Sequence, residues 1–386
     1  MGAVRFATRG AGPHRAFMAA GLHWGWSPVG PDAMTRVDLA LPFVVALLLA
    51  AGLITLSSAA PGDEFVRQAV FVLIALVGVG AVVWLGRVRL FRLAAYGYLG
   101  AVGLLLLVQA FGTEINGSKS WLILGPLPGI QPSEVAKLAL ILALAAVMHE
   151  RPIRRPLDYL RPAALIAVPT GLVVLEPDLG GALVLIAIGV GMVLVRGVPW
   201  RHLLALAVVL AVAVPTIVIP NLRPHQTARI ATFLNPGADP LGVGYQVIQA
   251  TIAVGSGGLW GKGYGQGTQS QLGFIPFRQT DFIFPVVAEE GGFIAAVILL
   301  LLYALLFWRL AAMAAECPAD RDQLVIAGVL VFVGFQVLLN VGVTLGLAPV
   351  TGITLPLVSY GGTSLLSTLL ALSVAFVVHR DRYAGW

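Results

Sequence analysis

Residues 284–308 read FPVVAEEGGFIAAVILLLLYALLFW, and from Phe293 to Trp308 no position carries a charge. A helix crossing the hydrocarbon core needs about 20 mainly apolar residues, so this run reads as a membrane span. Nine further runs qualify on the same grounds: 38–58, 66–85, 90–111, 132–149, 161–176, 178–195, 200–219, 323–346 and 361–378. Across the 386 residues, 58% are apolar and 11% charged, where a soluble domain carries about 25% charged residues. Too little polar surface exists to face water, so lipid is the solvent for most of the chain. The expected fold is all-α: a polytopic membrane protein with ten transmembrane helices and a long extracytoplasmic loop, 220–283, between helices 7 and 8.

Arginine placement orients these spans. With a cytoplasmic N-terminus, 17 of the 24 Lys and Arg residues fall in the short cytoplasmic segments, as the positive-inside rule requires. Both termini are then cytoplasmic, and the net charge of +6 has a topological cause that calls for no nucleic-acid partner. Residues 1–37 carry Arg5, Arg9, Arg15 and Arg36 with no apolar run before Leu39, so they read as a cytoplasmic tail and not a signal peptide. Translation starting at Met34 is an equal reading. Cys317 stands alone, which excludes an intrachain disulfide, and no Cys/His cluster has zinc spacing.

Topology does not explain the outer face. All three lysines (Lys119, Lys137, Lys262) and ten of the 18 acids lie there or at the outer membrane edge. Ionisable groups at membrane depth cost about 2.5–3.5 kcal/mol each on insertion scales and therefore need a reason. Gln131-Pro-Ser-Glu-Val-Ala-Lys137 opens the fourth span, with Glu134 and Lys137 on one helix face; a structural ion pair would explain it equally well. Asp178, in Glu176-Pro-Asp-Leu-Gly180, suits the N-terminus of the sixth span, where a plain N-cap is the simpler role.

Asp281, in Thr280-Asp-Phe-Ile-Phe284, has apolar neighbours that would raise its pKa by desolvation and fit it to act as a general base; capping the eighth span is the alternative. Glu289 and Glu290 follow one turn later and are expected to be buried beside partners. Residues 245–254 read as a short amphipathic interfacial helix. The glycine-rich stretch 255–267 lets backbone approach a ligand, or forms a flexible loop. The apolar, turn-rich segment 349–364 is expected to re-enter the bundle, because non-helical backbone at this depth survives only where it is buried or lines a cavity.

Taken in order, WLILGPLPGIQPSEVAK (121–137), EPDLG (176–180), RIATFLNP (229–236), Tyr245-Gln246, Gly261-Lys262-Gly263, TDFIF (280–284) with Glu289-Glu290, and NVGVTLGLAPVTGITLPLVSYGGTS (340–364) resemble the SEDS family, the RodA, FtsW and SpoVE proteins. The likeness covers about 38–382, one membrane domain, and in general character is greatest to RodA; the tail before Met34 has no counterpart. It implies a peptidoglycan glycosyltransferase of cell elongation, in the bacterial inner membrane, that polymerises lipid II at the outer leaflet beside a class B penicillin-binding protein. The family's essential aspartate falls on Asp281, its functional Glu and Lys on Glu134 and Lys137, and its EPDLG aspartate on Asp178.

Such an enzyme needs a base for the acceptor hydroxyl and cations for the pyrophosphate. Lys137, Lys119, Arg229 and Lys262 are the candidate cations, with Gln131, Ser359 and Tyr360 as supporting groups. Glu134 and Asp178 could orient Lys137, hold the acceptor sugar or bind a divalent cation (Mg2+ or Mn2+); no cofactor is required by any motif. Two other functions use the same features. A flippase for lipid-linked precursors predicts charges near the midplane, and a scaffold for the penicillin-binding protein predicts tolerance of Asp281→Asn.

Overall fold

The computed structural model describes residues 38–383 apart from 116–117, 124–128, 151–154, 214, 217–219, 221–223, 236 and 238–241. The expected tail 1–37, with Met34 and its arginines, lies outside the described residues. The long apolar runs form helices: α1 (Ala40–Ala59), α2 (Asp63–Phe111), α3 (Pro132–Met148), α4 (Leu160–Leu175), α5 (Leu179–Arg196), α6 (Trp200–Ala213), α10 (Ile283–Glu316), α11 (Asp320–Thr344) and α12 (Gly362–Arg380). Local signals set their ends. Pro132 occupies the first turn of α3, where its missing N–H costs nothing. Asp178 caps α5 by accepting from the Gly181 N–H at 2.8 Å.

Seven helices among the described residues are long and apolar enough to cross a membrane. The ten expected segments therefore do not appear as ten separate long helices. Segments 66–85 and 90–111 are the two arms of α2, 49 residues with one break at Gly86, where φ is 68°. At 1.5 Å per residue α2 would run ~74 Å unbroken, more than twice the ~30 Å hydrocarbon core, so the arms suit two crossings. Glycine tolerates the left-handed backbone at the elbow. Arg87 fixes it: its backbone N–H donates to Asp381, and its guanidinium forms a buried pair with Asp322 at 2.9 Å. Helix α3 has 17 residues, at the lower limit for a crossing, and α6 has 14, while α4 joins the seven only with the turn before it, as Pro156–Leu175; much of 214–219 lies outside the described residues.

Helices α11 and α12 are enclosed by the others, while the apolar surface of α2 is mostly exposed, as a lipid-facing helix should be. Helix α12 packs on α2, α3 on α2, α5 on α11, and α10 on α1 and α11. The outer connections also carry structure. After α2, strands β1 (Thr113–Ile115) and β2 (Ser118–Trp121) form an antiparallel hairpin, a small departure from an all-α chain. The loop 220–283 holds α7 (Pro224–Leu234), α8 (Val243–Ser256, the expected amphipathic helix) and the short α9 (Thr268–Gln271).

Candidate active site

Between α11 and α12 the chain runs without helix from Leu347 to Gly361 and turns back into the bundle, with Leu355, Leu357 and Val358 buried. Its backbone finds partners at that depth, as it must. Tyr303 Oη donates to the Pro356 carbonyl at 2.5 Å, and the Gln68 amide brackets Ser359 and Gly361. This segment forms one wall of a cavity of about 1190 Å³. The remaining walls come from the first turns of α2, the β2 strand, the start of α3, the Asp178 turn, Arg229 and the segment before α10. The cavity is two-sided in character. Val66, Val70 and Phe71 of the lipid-facing α2 line one part, and charged side chains line another.

Asp281 lies on this cavity immediately before α10. Three consecutive carbonyls hold its backbone. The Tyr360 N–H donates to Gln279 O at 2.8 Å, Ser359 Oγ to Thr280 O at 2.5 Å, and Asn340 Nδ2 to Asp281 O at 2.9 Å. Its carboxylate, in contrast, accepts no hydrogen bond among the described residues. Reachable from the cavity but surrounded by protein, it is pushed up to about 6 by burial, with the Arg229 cation pulling the other way.

Lys137 and Glu134 pair at 2.6 Å on the cavity wall, both buried, and Glu134 also accepts from Ser367 Oγ at 2.7 Å. Asp178 accepts from Gly181 N–H, Gln131 Nε2 and Ser133 Oγ. The cavity therefore brings together Asp281, Glu134, Lys137, Asp178, Arg229, Gln131 and Tyr360.

Three expected site residues are elsewhere. Lys119 donates to the carbonyls of Gln109 and Ala110, the unpartnered C-terminal end of α2, at 2.8 and 3.2 Å. Lys262 binds Glu289 at 2.8 Å together with Ser256 and Thr268. Ser359 does not line the cavity but spans Thr280 O and the Leu355 N–H. Both neighbouring acids are buried beside partners, as expected: Glu289 with Lys262, and Glu290 with Ser58 Oγ and Gln271 Nε2. The sequence reading passed over Gln336, Trp121, Thr351 and Arg67, all on the cavity. Gln336 and Arg67 had a readable signal, a polar or charged side chain inside an apolar run.

Among the described residues no group of three His, Cys, Asp or Glu side chains could cage a metal ion. All four oxygens of Glu134 and Asp178 are already taken by protein donors. These hydrogen bonds hold the two carboxylates in the protein's own network.

The FtsW/RodA/SpoVE family model, described as a cell cycle protein, matches residues 36–384. The chain belongs to this family. It is 40% identical over 291 residues to the Escherichia coli K12 peptidoglycan glycosyltransferase MrdB, covering 75% of this chain and 78% of that one. It is 36% identical over 369 residues to the Bacillus subtilis stage V sporulation protein E, covering 91% and 99%. Among solved structures, the Thermus thermophilus rod shape determining protein RodA matches with a TM-score of 0.71 at 42% identity, covering 91% of this chain and 99% of that one. A chain from a structure on the coordination of polymerization and crosslinking by a peptidoglycan synthase complex matches with a TM-score of 0.81 at 49% identity, with the same coverage. The chain is thus a multi-pass membrane protein of this family.

Proposed function

We propose that this chain is a peptidoglycan glycosyltransferase that polymerises lipid II during cell elongation, with Asp281 as its general base. One observation carries the role of Asp281. Its backbone is fixed by three hydrogen bonds while its carboxylate is left free, half-neutralised near pH 6, and open to a cavity that also holds a buried lysine and an arginine. A base must be ionised and unengaged before it can take a proton. Asp281 meets both conditions; Glu134 and Asp178 fail the second.

The reaction balances with these groups alone. Asp281 accepts the proton of the acceptor sugar hydroxyl as its oxygen attacks the donor's anomeric carbon. The anomeric C–O bond breaks, and the lipid pyrophosphate leaves with the electron pair. Lys137 and Arg229 offset that developing charge, Arg229 with a fork suited to two phosphate oxygens. Direct displacement inverts the anomeric centre. The apolar wall from Val66, Val70 and Phe71 suits the prenyl chain, and the polar wall suits the headgroup.

The proposal places the chain in the bacterial inner membrane, both termini cytoplasmic, beside a class B penicillin-binding protein. It counts ten crossings, with each arm of α2 as one and α3 and α6 as short ones. The relatives named above for glycosyl transfer and for a synthase complex support this reading. Its test is polymer formation from purified lipid II by the full chain with its partner. Wild type should make glycan strands and Asp281→Asn should lose about 10²–10⁴-fold of that rate while remaining folded. Strands from Asp281→Asn at the wild-type rate would refute Asp281 as the base.

A further inference from the structure

Helix α11 sends three side chains toward the cavity side of the bundle at four-residue intervals: Phe332, Gln336 and Asn340. Such a spacing keeps them on one face, about 6 Å apart along the axis. The inner and outer members of the row are spoken for. Lys137 lies over the Phe332 ring, 5.5 Å from its centroid. Asn340 donates to Asp281 O at 2.9 Å and to Ile353 O at 2.7 Å. Gln336 therefore sits one turn from the level of the buried cation and one turn from the level of the acid.

The Gln336 side chain has no hydrogen bond among the described residues. It is 1% exposed, its Oε1 is buried without a partner, and it lines the cavity. Buried amides in folded proteins are almost always paired, and each exception calls for an explanation. A second orphan, Thr351 Oγ1 on the re-entrant segment, lines the same cavity. Two unpartnered polar groups on one cavity, which also holds the free Asp281 carboxylate, are what a ligand with its own donors would complete.

We infer that Gln336 is a substrate-binding residue. Its amide receives a hydrogen bond from an N–H or O–H of the sugar part of the substrate, a hydroxyl or acetamido group, lying between Lys137 and Asp281. This assignment rests on the glycosyltransferase reading above. Gln336 binds and orients; it takes no proton and touches no breaking bond. The physical signature is unusual, because the group that binds the substrate is one the empty fold would be better without. An apolar side chain of like size removes a buried orphan, so it should preserve or raise the melting temperature while harming binding.

The experiment compares wild type, Gln336→Leu and Gln336→Glu, each with its partner, in steady-state polymerisation of lipid II and in thermal melting. Gln336→Leu should raise KM about 10-fold or more, since a substrate donor loses its acceptor, with kcat little changed and the melting temperature equal or higher. Gln336→Glu, which keeps an acceptor at that place, should recover part of the lost KM. A Gln336→Leu enzyme with wild-type KM overturns the assignment, since a water then suffices. So does one whose turnover falls in step with its melting temperature, which is a packing role. A wild-type chain that makes no polymer overturns the glycosyltransferase reading and this assignment with it, an outcome distinct from either of the others.

Discussion

Two lysine–glutamate pairs stand on the outer side of this bundle, Lys137–Glu134 at 2.6 Å and Lys262–Glu289 at 2.8 Å. In sequence both look like cations set beside acids for a pyrophosphate. In the fold they differ. Glu289 accepts from Lys262, Thr268 Oγ1 and the N–H groups of Gln269 and Ser270, and so ties the glycine-rich loop to α10. The tie continues through the backbone, where the Lys262 and Gly263 N–H groups donate to Glu289 O and Glu290 O beside the Gly292 break. This pair consumes its charges in holding structure. Lys137 and Glu134 line a cavity, and Lys137 has donors left to give. What separates a clamp from a site is therefore the capacity left over once the protein's own bonds are counted.

The sharpest way to break that distinction is to remove each cation. Lys137→Met leaves Glu134 buried without its counter-charge, which costs about 3–5 kcal/mol when one partner of such a pair is lost; turnover should fall with it. Adding Glu134→Gln should restore the melting temperature but not the turnover. Recovery of both would make the pair a clamp like the other. Glu289→Gln should weaken the loop by about 1–3 kcal/mol and speed proteolysis between 255 and 271, with turnover per folded molecule preserved. A catalytic loss larger than the folded fraction explains would put Glu289 in the site.

The pH dependence sharpens the comparison on the side of the cavity. With Asp281 near 6, turnover should fall about tenfold per unit below that point and level off above it. The sign for stability is the reverse: a carboxyl raised in the fold binds its proton more tightly there than when unfolded, so its ionisation destabilises the fold as pH rises from about 4 to about 6. Arg229→Gln should move the catalytic limb to higher pH, because the cation that favours the ionised form is gone. An unmoved limb would assign it to another group. The smallest effect expected is that of Ser359→Ala, which removes the hydroxyl joining Thr280 O to the Leu355 N–H. It should cost about 1 kcal/mol and a modest share of turnover; none lost would mean Asn340 and Tyr360 suffice to hold Asp281.

Much of this was legible from residues alone, for reasons that also show where reading stops. Apolar runs marked the helices because lipid leaves the chain few alternatives. They could not show that 66–85 and 90–111 join through the single left-handed residue Gly86 without an intervening loop, since a period of apolar residues says nothing about the backbone between two runs. Asp281 stood out because a carboxylate among phenylalanines needs a purpose. Lys119 is read as a candidate because sequence shows a cation's side of the membrane and not its partners, here two carbonyls within ten residues. Gln336 escaped notice because a glutamine in a span usually bonds across to another helix, and only the fold shows that this one does not.

A paired measurement, turnover on lipid II and melting temperature, for Asp281→Asn beside Glu289→Gln separates site from clamp most directly. A free carboxylate at a site and a bonded one in a clamp should give opposite results. Asp281→Asn should abolish turnover with the melting temperature held or raised, and Glu289→Gln should lower the melting temperature with turnover per folded molecule held. Turnover surviving in Asp281→Asn, or lost there only together with the fold, would contradict the account.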